Sequence, residues 1–348
     1  MINRLVLATV LVGVSLLTLG IGSGSARQDG GLVLFQNNPI LAVGVADDWD
    51  SGYVAAGDVL FYDGLYHMFY QGSTKAFIDP ISIGHATSPD GYIWTKDEAN
   101  PVLVPGQADA MNPYASLIVN TVLVEDGVWT MYFTVHPATG TFNSSQVRRA
   151  VAESPGGPWV VEPNPVIESG ASRRWDTDVV VWPYVVPADQ GYHMYYIGCC
   201  ARGPVGGLAL SPDGDTWTKY DDPATDERAF AESDAVLLLG DTGTWDHGFL
   251  NAFDAWHDEN GWHMLYNAGD QQEFGYGYAS SADGITWTKS ASNPLRIETV
   301  PTQASPAFEG LIAVAPSDME DTYFVYGDFA LDGVASEINL ALWTPPVD

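Results

Sequence analysis

Short apolar runs rich in β-branched and aromatic residues alternate with turn-forming residues along most of the chain. Between residues 54 and 103, Asp-Gly and Ser-Pro-Asp-Gly turns separate four such runs, at 54–62, 66–71, 83–87 and 92–95. Asp-Gly between two β-prone runs is a strong signal for a β-hairpin. No stretch after the first 26 residues keeps a helical period. The pattern therefore predicts an all-β protein whose basic unit is a short antiparallel sheet.

This unit is repeated along the chain. Asn-Pro followed by apolar residues begins at Asn38, Asn100 and Asn164, which stand 62 and 64 residues apart, and again at Asn293, about two periods later. The same period brings back an aromatic-His-Met element at 66–70, 192–196 and 262–266, and a Ser-x-Asp-Gly turn at 88–91, 211–214 and 281–284. A fixed period of this length indicates one supersecondary unit built several times.

Repeated four-stranded antiparallel units are typical of the blades of a β-propeller. We predict five blades, at about 46–108, 109–172, 173–241, 242–299 and 300–348. The fifth blade lacks an Asn-Pro strand, whereas residues 32–41 contain one that belongs to no blade. We therefore expect residues 32–41 to pair beside 338–343 and close the ring, because closure removes exposed sheet edges.

The amino-acid composition limits the cellular location and the binding partners expected of the protein. The 348 residues, 46% of them hydrophobic, can bury a large core in a single domain over 27–348. Residues 1–26 combine Arg4, an apolar stretch and small residues, which predicts a secretory signal peptide and a secreted or extracytoplasmic protein. An uncleaved membrane anchor is the alternative; no stable membrane insertion is expected once the signal is cleaved. The net charge of −31 argues against nucleic acid as a partner.

The two cysteines, Cys199 and Cys200, are adjacent. A disulfide between neighbours closes only a strained ring, so we expect a buried pair of free thiols. A reactive or metal-binding pair is the alternative.

Acidic residues near the innermost strand of each blade are the candidates for catalysis. Residues that recur with the blades are more often architectural, so the Trp-Asp pairs at 49–50, 175–176 and 245–246 are expected to orient turns through side-chain bonds to the backbone. Paired carboxylates are what glycosidic cleavage uses, although a solvated loop carboxylate is the alternative for each acid. The acids that we take as catalytic candidates are Asp58, Asp178, Asp254 and Glu309.

Other side chains near these strands are candidates for contact with a substrate. They are Trp49, Asp50, Asp176, Trp182, Asp246 and His247. His67, His193 and His263 share one repeat position and are expected to be structural. No pair of histidines has the spacing of zinc ligands on a helix, so the residues themselves indicate no metal.

The phrase Ile83-Gly84-His85-Ala86-Thr87-Ser88-Pro89-Asp90-Gly91, with Trp94-Thr95-Lys96 and Asn100-Pro101-Val102-Leu103, resembles the five-bladed glycosidases of the arabinanase–levansucrase–invertase superfamily, including glycoside hydrolase families 43, 32 and 130. The resemblance implies an Asp base, an Asp that positions and tunes, and a Glu acid. It also implies, weakly, a calcium ion in the central channel and no other cofactor. Aligned on the turn, the base position falls on Gly57, Asn120 and Asp254 in blades one, two and four, and Glu309-Gly310 is the nearest match to the acid's motif.

These observations predict a secreted glycoside hydrolase that cleaves a poly- or oligosaccharide by a two-carboxylate mechanism in a central funnel. Glu309 would be the general acid, and Asp58, Asp178 or Asp254 the base or nucleophile. The alternative is a non-catalytic propeller that binds glycans, which the missing first-blade Asp and the amide at Asn120 favour.

Overall fold

The computed structural model describes residues 30–75, 80–108, 115–137, 145–200, 203–270, 274–298, 307–330 and 337–346. The side chains of residues 298, 307–311 and 328–330 are not among those described.

The described residues form five antiparallel sheets arranged as the blades of a propeller. The described part of the chain opens with β1 (Leu32–Leu34). Blade one contains β2 (Tyr53–Tyr62), β3 (Leu65–Ser73), β4 (Ser82–Ser88) and β5 (Thr95–Lys96). A short helix, α1 (Pro105–Ala108), leads to blade two. Blade two contains β6 (Ser116–Glu125), β7 (Val128–His136), β8 (Gln146–Ala152) and β9 (Val160–Val161).

The remaining three blades follow the same order. Blade three contains β10 (Val179–Pro187), β11 (Tyr192–Cys199), β12 (Val205–Ser211) and β13 (Thr218–Lys219), then a 3₁₀ turn (Arg228–Phe230) and β14 (Ala235–Leu237). Blade four contains β15 (Phe249–Asp258), β16 (Gly261–Gly269), β17 (Phe274–Ser281) and β18 (Thr288–Lys289). Strand β19 (Ile297–Glu298) precedes blade five, which contains β20 (Ala307–Pro316), β21 (Tyr323–Ala330) and β22 (Asn339–Trp343).

The predicted closure of the ring is confirmed. Strand β1 lies antiparallel to β22, with Leu32 opposite Trp343, and Leu41 forms a further bridge to Ile338. The Asn38 side chain donates to the carbonyl of Leu340 at 2.9 Å and accepts its N–H at 2.8 Å. Strand β19 adds to the outer edge of β1 in parallel. The N-terminal strand therefore completes the last blade.

The core is divided among the seams between blades. Each of the five seams holds one large cluster of buried apolar side chains, contributed by the facing sheets of two successive blades. Burial of this apolar surface is the main stabilising term. Within the part of the chain that the structure covers, no helix is long and apolar enough to cross a membrane.

A repeated polar contact ties three of the five seams to a turn. In the Ser-x-Asp-Gly turns, the Gly carbonyl accepts a hydrogen bond from a Tyr of the preceding blade, and at Gly91 and Gly214 it accepts another from the turn's own Trp. The Tyr-to-Gly contacts are Tyr132–Gly214 (2.7 Å), Tyr195–Gly284 (2.7 Å) and Tyr326–Gly91 (2.9 Å). Blades one and four precede blades without this turn, and there the Tyr is replaced by Phe69 and Leu265. A blade that lacks the turn thus follows a blade that lacks the Tyr.

Candidate functional site

Every innermost strand carries a β-bulge, and the bulges decide which side chains face the axis of the ring. The extra residue is Gly57 in blade one, Asn120 in blade two and Asn251 in blade four. In blade three, the bulge covers Trp182 and Pro183. Bulges re-aim side chains and are common beside active sites.

The register beyond the bulge makes Asp58 and Asp254 equivalent. Asp58 lies opposite Phe69 and Asp254 opposite Leu265, at the same repeat position. Our alignment of Asp254 with Gly57 is therefore wrong by one residue, because blade four places its bulge earlier than blade one does. Gly57 also has no room for a side chain, since a Cβ there would lie 2.4 Å from the side chain of Val119.

Both aspartates hold the next blade in place. Asp58 Oδ2 accepts the backbone N–H of Val122 at 2.5 Å, and Asp254 Oδ2 accepts that of Val314 at 2.6 Å. Thr121, at the equivalent position of blade two, accepts the N–H of Val185 at 2.9 Å through its hydroxyl. One oxygen of each carboxylate is thus committed to the scaffold.

Burial changes the ionisation of these acids. It raises the pKa of Asp58 to about 7, against the opposing effect of the Val122 hydrogen bond. Burial, and then the charge of Asp58, raise the pKa of Asp254 well above its ordinary value. Both side chains are half-buried. Asp58 lies close enough to Asp254 for its charge to act there, although the two acids come from non-adjacent blades. Burial and the charges of Asp254 and Asp58 also raise the pKa of Tyr184.

Two amides complete what we call the axial cluster: Asp58, Gln71, Asn120, Tyr184 and Asp254. Asn120 Nδ2 donates to the Tyr184 hydroxyl at 3.3 Å, and Gln71 Nε2 donates to the carbonyl of Val119 at 2.8 Å. Asn120 Oδ1 and Gln71 Oε1 are buried and have no hydrogen-bond partner. Buried acceptors of this kind call for a donor such as a ligand hydroxyl, a water or a cation.

The axial cluster gives a limited fit to the implied calcium ion. Its oxygen donors are of the type that calcium prefers. However, the described residues contain no group of three or more His, Cys, Asp or Glu side chains that could hold a metal. We therefore route no chemical step through a metal ion.

Asp178 breaks the repeat at the entry to an innermost strand. Its N–H donates to the carbonyl of Cys199 at 2.8 Å, and the equivalent bonds of blades one and four come from Gly52 and Gly248. A partly exposed carboxylate thus stands where the other two blades have glycine. Because no repeat contact requires an acid there, Asp178 is the strongest of the described candidates for chemistry.

Glu309 lies in β20 within the irregular stretch between the pairs Phe308–Phe329 and Ile312–Gly327. Its strand is thereby bulged like the other innermost strands. The side chain of Glu309 lies outside the described residues, so its prediction as the acid stays a prediction.

The Trp-Asp pairs lie away from the axial cluster, toward the outer strands. The ion pairs are Asp50–Lys96 (2.6 Å), Asp176–Lys219 (2.5 Å) and Asp246–Lys289 (2.5 Å). Asp50 also accepts from the Tyr70 hydroxyl at 3.1 Å, and Trp49 packs on the Tyr70 ring. These carboxylates bond to Lys and Tyr side chains, and Asp246 also accepts a backbone hydrogen bond of the expected kind. His247 lies 2.6 Å from the carbonyl of Thr244, in the turn before β15.

Trp182 is held in an unusual conformation on the innermost strand of blade three. Its φ is 56°, in the left-handed region, and its N–H donates to the Thr134 hydroxyl at 2.9 Å. The side chain is partly exposed and packs against the seam between blades three and four.

Gln71, Thr121 and Tyr184 escaped the sequence reasoning, because they have the composition of ordinary strand residues. Thr121 and Tyr184 directly follow the bulges of their innermost strands, whereas Gln71 lies on the second strand of blade one.

The expectation of free thiols is wrong. The sulfurs of Cys199 and Cys200 are bonded to each other at the end of β11, with Cys199 buried and Cys200 exposed. Adjacency did not prevent the bond.

Comparison with known proteins places the chain in a family. Residues 57–273, more than half of the chain, match the glycosyl hydrolases family 32 N-terminal domain. No curated protein sequence matches. A glycosyl hydrolase from Bacteroides ovatus is similar in structure, with 15% identity, 91% of this chain and 95% of that chain covered and a TM-score of 0.66.

Two further solved structures share the fold. One comes from work on the GH130 family of mannoside phosphorylases, which contains glycoside hydrolases that target β-1,2 mannosidic linkages in Candida mannan (16% identity, 93% and 96% covered, TM-score 0.66). The other is a family 117 glycoside hydrolase of the marine bacterium Zobellia galactanivorans (16% identity, 92% and 93% covered, TM-score 0.63). These likenesses show the five-bladed fold, and the matched segment shows the family. The chain belongs to the glycosyl hydrolase family 32 N-terminal domain family, and thus to the glycoside hydrolases.

Proposed function

We propose that the protein hydrolyses glycosidic bonds of a poly- or oligosaccharide in a funnel along the axis of the ring. The observation that carries the proposal is Asp178, an acid at the entry of an innermost strand where blades one and four have glycine. Family membership supplies the reaction class.

In the proposed mechanism, Asp178 is the base and Glu309 the acid. Blade four separates blades three and five, so residues on their innermost strands face each other across the axis. Asp178 removes a proton from a water molecule while the oxygen of that water forms a bond to the anomeric carbon. Glu309 gives its proton to the departing glycosidic oxygen, which leaves as an alcohol. If Asp178 instead attacks carbon directly, the product retains its anomeric configuration.

The axial cluster has a supporting role in this proposal. Asp58 and Asp254 each already accept a backbone N–H from the next blade, so one oxygen of each carboxylate is committed to the scaffold. We assign to them the positioning of the innermost strands.

A second candidate function is glycan binding without cleavage. It is favoured by the unpartnered amide oxygen of Asn120 and by the commitment of Asp58 to the scaffold. Both features suit recognition of hydroxyl groups as well as catalysis.

We also propose that the protein is secreted after removal of residues 1–26. The support is the basic residue, apolar stretch and small residues at the start of the sequence. Expression in a host with a secretory pathway, followed by N-terminal sequencing of the exported protein, tests this. An unprocessed chain in the membrane fraction would contradict it.

Turnover of arabinan, xylan, fructan and mannan fragments and of aryl glycosides tests the main proposal. We expect Asp178→Asn and Glu309→Gln each to lower turnover by at least about 100-fold, the usual contribution of a general acid or base. Asp189→Asn is the matched control, because Asp189 is exposed at the opposite end of the same blade's first hairpin and should leave turnover unchanged. Calorimetric binding without any product would favour the second candidate. The configuration of the first product distinguishes inversion from retention.

A further inference from the structure

We infer that Trp182 and Asn120 form a sugar-binding subsite beside the axis. The indole would stack on the apolar face of a sugar ring, and Asn120 Oδ1 would accept a hydrogen bond from one of its hydroxyls. The choice of a carbohydrate as the ligand rests on the proposed function.

The backbone of Trp182 is the first observation. Six non-glycine residues in the described part of the chain have a positive φ, and Trp182 is the one that lies in a strand. The left-handed conformation is sterically unfavourable for a residue with a side chain, and glycine would avoid that cost. Strain of this kind persists where the surrounding structure enforces it and is concentrated at functional sites.

The surrounding structure does enforce it, through three contacts from blade two. The Trp182 N–H donates to the Thr134 hydroxyl at 2.9 Å. The Thr121 hydroxyl donates to the carbonyl of Pro183 at 3.1 Å, and the Asn120 amide donates to the Tyr184 hydroxyl at 3.3 Å. The bulged segment is therefore fixed before any ligand arrives, which lowers the entropy cost of binding.

The chemistry of the two side chains is the second observation. Trp182 keeps accessible surface although it lies on an innermost strand, where the neighbouring residues Val181 and Pro183 are buried. Asn120 is only 2% exposed, and its Oδ1 has no partner. Asn120 contacts Tyr184, two residues from Trp182 in the bulged segment. An aromatic face and an unsatisfied acceptor together match a sugar ring, which presents C–H groups on one side and hydroxyls around its edge.

The test compares Trp182→Leu with Trp182→Phe. Calorimetry with oligosaccharides prepared from arabinan, xylan, fructan and mannan identifies the sugar that the wild-type protein binds. For that sugar, we expect Trp182→Leu to weaken binding by about five- to tenfold, because the loss of ring stacking corresponds to a factor of roughly 2 to 12 beyond the lost buried area. Trp182→Phe keeps a ring and should stay within about threefold of wild type.

Trp94→Leu is the matched control. Trp94 donates its indole N–H to Gly91 in an outer turn, so its loss should lower the melting temperature and leave sugar affinity unchanged. Circular dichroism confirms that each variant is folded. If Trp182→Leu does not fold, Asn120→Ala replaces it, because loss of the acceptor oxygen should also weaken binding of the same sugar. The inference is overturned if Trp182→Leu binds like wild type, if Trp182→Phe is as weak as Trp182→Leu, or if the wild-type protein binds none of the four sugars.

These outcomes are separate from those of the hydrolase proposal. Binding that depends on Trp182 with no turnover removes the hydrolase and keeps the subsite. Turnover that depends on Asp178, with no effect of Trp182 on affinity or KM, removes the subsite and keeps the hydrolase.

Discussion

Replacing Asp58 with Asn should stabilise the protein at neutral pH. The amide side chain introduced by Asp58→Asn would keep an oxygen that can accept the N–H of Val122, which Asp58 now accepts at 2.5 Å. What is removed is the cost of ionising a buried acid whose pKa is raised from the ordinary 3.8 to about 7. The substitution therefore separates the hydrogen bond from the charge.

The sign of the effect follows from linkage. Below about pH 4, Asp58 is protonated in both the folded and the unfolded chain, so it contributes no pH dependence. Between about pH 4 and 7 the unfolded chain loses the proton while the folded chain keeps it, and stability falls as pH rises. Above about pH 7 the full penalty is present. The difference between the two pKa values of Asp58 sets an upper limit of about 4 kcal/mol on the loss of stability. We expect a loss of roughly 1–2 kcal/mol because solvent reaches the axis.

Urea unfolding followed by tryptophan fluorescence, at pH values from about 4 to 8, measures the effect. The free energy of unfolding of Asp58→Asn should exceed that of wild type by an amount that grows with pH and vanishes near pH 4. Asp189→Asn, at an exposed site, should show no such trend. A difference that is the same at every pH would refute the reasoning, because it would mean that the charge of Asp58 is not the cause.

Two further predictions concern the repeated contacts, and both are measured by thermal and urea unfolding. Tyr326→Phe removes the hydroxyl that donates to Gly91 and should cost about 1 kcal/mol, since Trp94 still satisfies that carbonyl; Tyr326→Leu, which also leaves a cavity, should cost about 3 kcal/mol. Equal losses in the two variants would contradict this division, because they would assign the whole effect to the hydroxyl and none to the cavity. Lys289→Met leaves the buried Asp246 carboxylate unpaired and should cost about 1–3 kcal/mol at neutral pH, with Lys289→Arg as the control. Because Lys289 helps to lower the pKa of Asp246 against the opposing effect of burial, the loss should shrink as the solution is acidified below the ordinary aspartate value.

The fold could be predicted from the sequence because the repeated residues make the same contacts in successive blades. The Asn-Pro strand, the aromatic element and the Ser-x-Asp-Gly turn each meet the same partner in successive blades, so their period counts the blades. The orphan Asn-Pro strand at 38–41 even located the closure, which Asn38 makes through its two bonds to Leu340.

The site could be predicted only in part, because backbone irregularities leave no mark on composition. Gly57 and Asn251 are both bulge residues, yet they stand at different distances from the aromatic element, and this shifted our alignment. The lysine partners of the Trp-Asp pairs are 43 to 46 residues away along the chain, beyond the reach of any local pattern. Asp178 was found because it departs from the repeat at a regular position.

The closure of the ring also constrains the order of folding. Leu32 must meet Trp343, so the last blade cannot be completed until nearly the whole chain has been made. Blades one to four draw their strands from contiguous sequence and can form earlier. Blade five requires a contact between the two ends of the described chain, which has a large loop-closure entropy cost. Until then, β22 presents an unpaired edge. Slow folding would therefore leave the strands at the two ends of the described chain exposed, and not those in its middle.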